Sequence, residues 1–187
     1  QSEVIVIPTV SVVVASDTDF PQCLAGMKYL KKAVFETKIV VAEICTISDY
    51  RNPLSVLDYI KRENAMKSVD VIIAGSGCAA HLPGMLDAFL AHGLDNRRIS
   101  VIGVGFEDFE SARHTQAAEL SISEVPDTRV IYQDAAGPFM GSDGFLRACK
   151  LAVKGNFPKL GVRKSRQPKY RTLDQALAVA EAMIKKS

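Results

Sequence analysis

Three short polar stretches carry residue types able to hold a phosphorylated, hydroxyl-rich ligand: Ser16, Thr18 and Asp19; then Ser48 and Arg51; then Gly75-Ser76-Gly77 with His81. A guanidinium pairs bidentately with phosphate. Glycines let backbone amides come close to an anion, and helix N-termini favour negative charge. Asp19 suits the acceptance of hydrogen bonds from ribose hydroxyls. His81 follows a glycine-rich turn, where an imidazole can serve as acid, base or hydrogen-bond donor. The chemistry implied is recognition of a phosphorylated sugar or nucleotide. Ser16 and Asp19 are equally helix N-cap types and serve as well for capping alone. Gly75-Ser76-Gly77 lacks the third glycine and the downstream acid of a dinucleotide fingerprint, and no GxxxxGKS/T is present, so the dinucleotide and ATPase readings fall. His92 and His114 stand in polar helix-end or loop contexts and read as solvated surface residues.

These stretches acquire a common location from the elements around them. Val10–Ala15 is a β-branched run too apolar to alternate, as in a strand buried on both faces. Phe20-Pro21 then opens a helix through Cys23, Leu24, Met27 and Leu30. The alternation repeats with strand Ile39–Ile44 and a helix through Val56, Leu57 and Ile60, then strand Val69–Ala74 and a helix from Ala79 onward. A fourth strand, Ile99–Gly105, precedes a long loop over 106–124 with a modest helical pattern at 112–118. A fifth strand, Arg129–Gln133, precedes helix Phe139–Val153. The expectation is a three-layer αβα domain on a five-stranded, parallel, doubly wound sheet with right-handed crossovers. In such a sheet every carboxyl end lies on one edge, so the three polar stretches converge there.

Composition sets the outer limits. The 187 residues are 48% hydrophobic and 24% charged, as in an ordinary globular protein. The net charge of +2 divides unevenly: 159–187 holds eight Lys/Arg and two Asp/Glu, net +6, and leaves −4 for residues 1–158. A nucleic-acid surface could therefore lie only in the tail, where a solvated or subunit-docking role is favoured instead. No apolar run reaches the roughly 20 residues of a bilayer span, and a cytoplasmic protein is expected. Cys23, Cys45, Cys78 and Cys149 stand 22, 33 and 71 apart, so paired zinc-ligand or redox spacing is absent and each reads as a small buried hydrophobe. Two regions follow: a domain over 1–158, and a basic linker with an amphipathic helix, Thr172–Lys186, over 159–187. Leu173, Ala176, Leu177, Val179, Ala180 and Met183 mark one face of that helix, and a helix detached from its core by a long linker is expected to dock on a neighbouring subunit or back across the sheet, with subunit docking favoured.

Ala74-Gly75-Ser76-Gly77-Cys78-Ala79-Ala80-His81-Leu82-Pro83-Gly84-Met85 resembles the GAGGAAHLPGM segment of the carboxyaminoimidazole ribonucleotide mutases and carboxylases of purine biosynthesis. Ala15-Ser16-Asp17-Thr18-Asp19-Phe20 is similar to that family's GSxSDW loop, and Leu120–Pro126 to its LSIVQMP. Ala136-Gly137 with the helix from Gly144 resembles its closing AGxxNAxLLAAxIL. The resemblance covers about residues 10–155. It implies a flavodoxin-like subunit of a homo-octamer that needs neither metal nor organic cofactor. The implied activity shifts a carboxylate from an exocyclic nitrogen to a ring carbon, or adds it to the ring from carbon dioxide. Ser16, Asp19 and Arg51 would bind the ribose phosphate, Ser48 would help hold the phosphate, and the Gly75–Leu82 segment, including Gly77, Ala80 and Leu82, would enclose base and carboxylate beside His81.

One position departs from the pattern. The family's SAHRTP reads Ser48-Asp49-Tyr50-Arg51-Asn52-Pro53 here, so Tyr50 replaces the histidine that gives and takes the proton. A phenol ordinarily titrates near 10 and an imidazole near 6.5, so the exchange moves the proton-handling group roughly 3–4 pH units from neutrality. Val125 replaces the family's methionine, and the loop over 106–119 differs from the family's. Two classes of function stand: an enzyme in which Tyr50 or His81 shuttles the proton, and a ribonucleotide-binding homologue with altered or lost catalysis.

Overall fold

The computed structural model describes residues 6–158, 161 and 164–185. Lys159 and Arg163 of the basic linker, and Lys186 at the expected end of the last helix, lie outside the described residues.

Strand β1 (Thr9–Val14) crosses the centre of the molecule. Val10, Val12 and Val14 pack on one side with Cys23, Leu30, Phe145 and Cys149, whereas Val13 packs on the other with Val56, Ile60, Leu82 and Leu86. This alternation requires a helix layer on each face. Strand β3 (Val71–Ser76) repeats it: Val71 and Ile73 join the first cluster, Ile72 and Ala74 the second. Helices α1 (Phe20–Phe35) and α5 (Gly141–Lys154) cover one face, and α2 (Pro53–Met66) and α3 (Leu82–Ala88) the other. The three-layer expectation is thereby met.

The sheet has four strands in the order β2-β1-β3-β4, all parallel, with β2 at Val40–Thr46 and β4 at Ser100–Gly105. The expected fifth strand is a correction. Arg129–Gln133 runs beside β4 but makes only an isolated bridge, in which Ile131 donates to Val101 O (2.9 Å) and accepts from Gly103 N–H (3.0 Å). The chain then leaves the sheet in a two-residue hairpin, β5 (Gln133–Asp134) against β6 (Gly137–Pro138), and returns where Phe139 O accepts from Gly105 N–H at 3.0 Å. Gly137 supports the excursion with φ +113°, a conformation open chiefly to glycine. Arg147 fixes it by donating to Asp134 Oδ1, Gly137 O and Pro138 O.

Helix α4 (Ala112–Ser123) begins where its modest sequence pattern does, with Ser111 capping it by accepting from His114 N–H, and runs on past that pattern to Ser123. Cys23 and Cys149 are buried as expected, and burial pushes the Cys23 thiol up to about 12. Cys78 corrects the same expectation: it is exposed. The last helix, α6 (Leu173–Ile184), begins at a Thr172/Gln175 capping box and has no buried residue. No described helix is long and apolar enough to cross a membrane.

Candidate functional site

The carboxyl ends of β1, β2 and β3 open on one cleft of about 400 Å³. It is lined by Ser16, Thr18 and Asp19 from the first turn, Ser48, Asp49, Tyr50 and Arg51 from the second, and Ser76, Gly77 and Cys78 from the third. β1 and β3 are adjacent although β2 lies between them in sequence, so the chain departs to opposite sides after them and leaves a crevice at that point.

Each turn is held by its own hydrogen bonds. Ser16 Oγ accepts from Thr18 N–H (3.3 Å) and lies 2.8 Å from Thr18 Oγ1. Thr46, at the end of β2, donates its hydroxyl to Asp17 Oδ1 (2.5 Å) and ties the first turn to the second. Ser48 is buried; its Oγ accepts from Arg51 N–H (3.2 Å) and its carbonyl from Asn52 N–H (2.7 Å). This closes a compact turn before Pro53 begins α2, and Arg51 is held by its main chain while its side chain stays exposed at the rim.

Asp19 is half-buried beneath Gly77. Burial pushes its carboxyl above the ordinary value, opposed by the Gly77 N–H bond and the Arg51 charge. A carboxylate and a guanidinium thus face one cleft without neutralising each other by direct pairing, a pattern suited to hydroxyls beside a phosphate. Asp49 is likewise pushed up by burial, opposed by backbone N–H bonds and by the His81 charge.

The Tyr50 hydroxyl is hydrogen-bonded to His81 Nδ1, with ring centroids 5.6 Å apart. Two residues 31 apart in sequence are thereby joined beside the cleft, which Tyr50 lines. Both side chains are exposed.

Gly75 plays a different part from the one its sequence suggests. A Cβ there would meet the Phe106 ring at 2.5 Å, so the glycine admits the buried Phe106 beneath the turn, and it is not among the residues that line the cleft. At Gly77 a Cβ would have room, 3.5 Å from Asp19 Oδ1; that residue contributes its N–H. Ser76 donates to Gly77 O, and Ser76 O accepts from Phe106 N–H at 2.9 Å. Ala80 and Leu82 are fully buried, Ala80 against Ala118 and Ile122, Leu82 in the cluster with Val56 and Ile60. They shape the segment from below. Sequence reasoning passed over Asp49 and Cys78 as lining residues; a signal for Cys78 was its place in a glycine-rich turn, where it takes a positive φ of 55°.

A larger cleft of about 530 Å³ lies at the opposite end of β4 and is lined by Arg97, Arg98 and Arg129. All three guanidiniums are already paired, with Asp95, Asp70 and Asp87 respectively. The cleft at the carboxyl ends of β1, β2 and β3 instead brings the Arg51 side chain beside Tyr50, whose hydroxyl bonds to His81.

Residues 9–131 match the family model described as AIR carboxylase. The chain is 32% identical over 164 residues to a protein of Pyrococcus abyssi named N5-carboxyaminoimidazole ribonucleotide mutase, a match covering 88% of this chain and 82% of that protein. A protein of the same name from Synechocystis is 37% identical over 81 residues, where the match spans 43% of each chain. The crystal structure of Treponema denticola PurE shares the fold, with a TM-score of 0.50 and 14% identity over 95% of both chains.

Proposed function

The chain belongs to the AIR carboxylase family, and from that premise we propose that it moves the carboxylate of N5-carboxyaminoimidazole ribonucleotide from the exocyclic nitrogen to a ring carbon, a step of purine biosynthesis. The observation that carries the proposal is the Tyr50–His81 hydrogen bond at the cleft that also gathers Ser16, Asp19, Ser48 and Arg51.

The reaction breaks a C–N bond and makes a C–C bond. The nitrogen gains a proton and the ring carbon loses one. A group that first donates and then accepts is therefore unchanged at the end, and no external acid, base or redox partner is consumed. Tyr50 is the group at the cleft surface. His81 holds its hydroxyl through Nδ1 and can take or return the proton across that bond. Arg51, with the Ser48 turn, binds the phosphate, and Asp19 with Ser16 binds the ribose hydroxyls. The Gly77 N–H and the Ser76 main chain border the base. The reaction as drawn needs no organic cofactor.

The test is incubation of the purified chain with N5-carboxyaminoimidazole ribonucleotide, following the ring-carboxylated isomer by its ultraviolet absorbance. Conversion without added bicarbonate is expected. Binding without turnover would sink the enzyme reading and leave a ribonucleotide-binding homologue. Turnover only from the decarboxylated ribonucleotide and carbon dioxide would reassign the chain to the carboxylase type.

The assembly proposal is a homo-octamer completed by residues 159–187. Helix α6 leaves Leu173, Leu177, Met183 and Ile184 exposed, and edge strand β2 exposes Val40 and Ile44. Apolar faces of this kind favour burial against another subunit. Removal of 159–187 is expected to lower the assembly mass in light scattering, and a truncated chain of unchanged mass would refute the docking role.

A further inference from the structure

Cys78, Asp108 and His114 come from three different elements: the turn after β3, the loop after β4, and the first turn of α4. Each offers one ligand atom, and the three atoms lie within 4.8 Å of one another. Among the described residues this trio stands outside the proton-exchanging pair and the phosphate-binding turns, although Cys78 also lines the cleft.

Two members are already oriented. Asp108 Oδ1 accepts from Glu110 N–H (2.9 Å), its Oδ2 lies 2.7 Å from His114 Nδ1, and its own N–H donates to Thr115 Oγ1 (2.8 Å). The His114 main chain is fixed by its bond to Ser111 Oγ. The third member occupies a costly conformation. Cys78 has φ 55°, and a non-glycine residue persists there only when its surroundings compensate. The GAGGAAHLPGM motif has a glycine three residues before its histidine, which is the position of Cys78. The chain thus carries a thiol where glycine would fit the backbone better, beside an imidazole and a carboxylate.

We propose that Cys78, Asp108 and His114 bind a divalent transition metal ion, zinc being the best match, at the mouth of the ribonucleotide cleft. Thiolate, imidazole and carboxylate together are a zinc-type donor set, whereas magnesium and calcium take oxygen alone. Zinc bonds of about 2.0–2.3 Å place ligand atoms roughly 3–4 Å apart, a closure that rotation of Cys78 and His114, both exposed, can supply. Three protein ligands leave a fourth position open, as in zinc sites that bind an exchangeable ligand.

The test uses the full chain, treated with chelator and titrated with cobalt(II). One cobalt ion per chain is expected, with a thiolate-to-cobalt charge-transfer band in the near ultraviolet that zinc abolishes stoichiometrically. Cys78→Gly, which suits the backbone there, should lose the band while keeping its thermal unfolding transition. His114→Ala should weaken binding by about tenfold or more, and Cys45→Ser should change nothing. A wild-type chain without the band, or a band that survives in Cys78→Gly, overturns the site. So does rapid His114-dependent alkylation of Cys78 without any cobalt band, which would make the thiol a nucleophile instead.

Discussion

Tyr50→Phe and His81→Ala are each expected to lower kcat by about 10²- to 10⁴-fold, the usual contribution of a positioned acid or base, while leaving KM within a few-fold. The reason is geometric. The Tyr50 hydroxyl bonds directly to His81 Nδ1, so removing either end breaks the same proton path, and neither side chain takes part in the turns that hold Arg51 and Asp19. The double variant should be scarcely slower than the worse single one, because groups acting as one unit are strongly non-additive. Tyr50→His keeps a proton-exchanging ring at this position and should retain most of the turnover. Steady-state kinetics of the four variants decide the matter. If both losses multiply, the two residues act separately. If the wild type is inert and only Tyr50→His turns over, Tyr50 is not a catalyst and the ribonucleotide-binding reading takes its place.

The parts of the molecule that could be read in the sequence are those where periodicity and burial agree. The β-branched runs of β1 and β3 and the 3–4 spacing of α1 and α2 report a two-faced sheet directly, because each face needs its own apolar set. The last helix was readable too, expected at Thr172–Lys186 and described over Leu173–Ile184, since its apolar residues recur along one face at helical spacing. The fifth strand failed because pairing is not local. Arg129–Gln133 has strand-like residues, yet the hairpin through Gly137 draws the chain away after a single bridge. In the site, the converging turns followed from the parallel topology, but the partners within them did not. At Gly75 the packing of Phe106, 31 residues later, into the space a Cβ would take is a second reason for glycine that no local pattern displays. Cys78, Asp108 and His114, separated by 30 and 6 residues, match no ligand spacing that a sequence displays; only the fold brings them together.

Arg51→Ala is expected to raise KM for the ribonucleotide by about 10- to 10³-fold with little change in kcat. A charge-assisted bond to phosphate contributes on the order of 1.5–3 kcal/mol and up to about 4 when bidentate and partly desolvated, and the phosphate is remote from the reacting atoms, so the loss falls on ground state and transition state alike. The fold should not notice. The bond that closes the turn is donated by the Arg51 main chain to Ser48 Oγ, which alanine keeps, and an exposed substitution of this kind shifts stability by no more than about 0.5 kcal/mol. Arg51→Lys restores the charge without the planar fork and should fall between the two. A second effect distinguishes this account from simple loss of contact. The Arg51 charge lowers the Asp19 carboxyl against the burial that raises it, so deleting it lets the Asp19 value climb further. The ionised carboxylate is the form that accepts two ribose hydroxyls, and it disappears as pH falls through that value. The acid-side loss of kcat/KM in Arg51→Ala should therefore set in at a higher pH than in the wild type, whereas Asp19→Asn should lack that limb altogether. An affinity unchanged in Arg51→Ala would move the phosphate away from the turn after β2, and an acid limb that stays in place would separate Asp19 from Arg51 in the bound state.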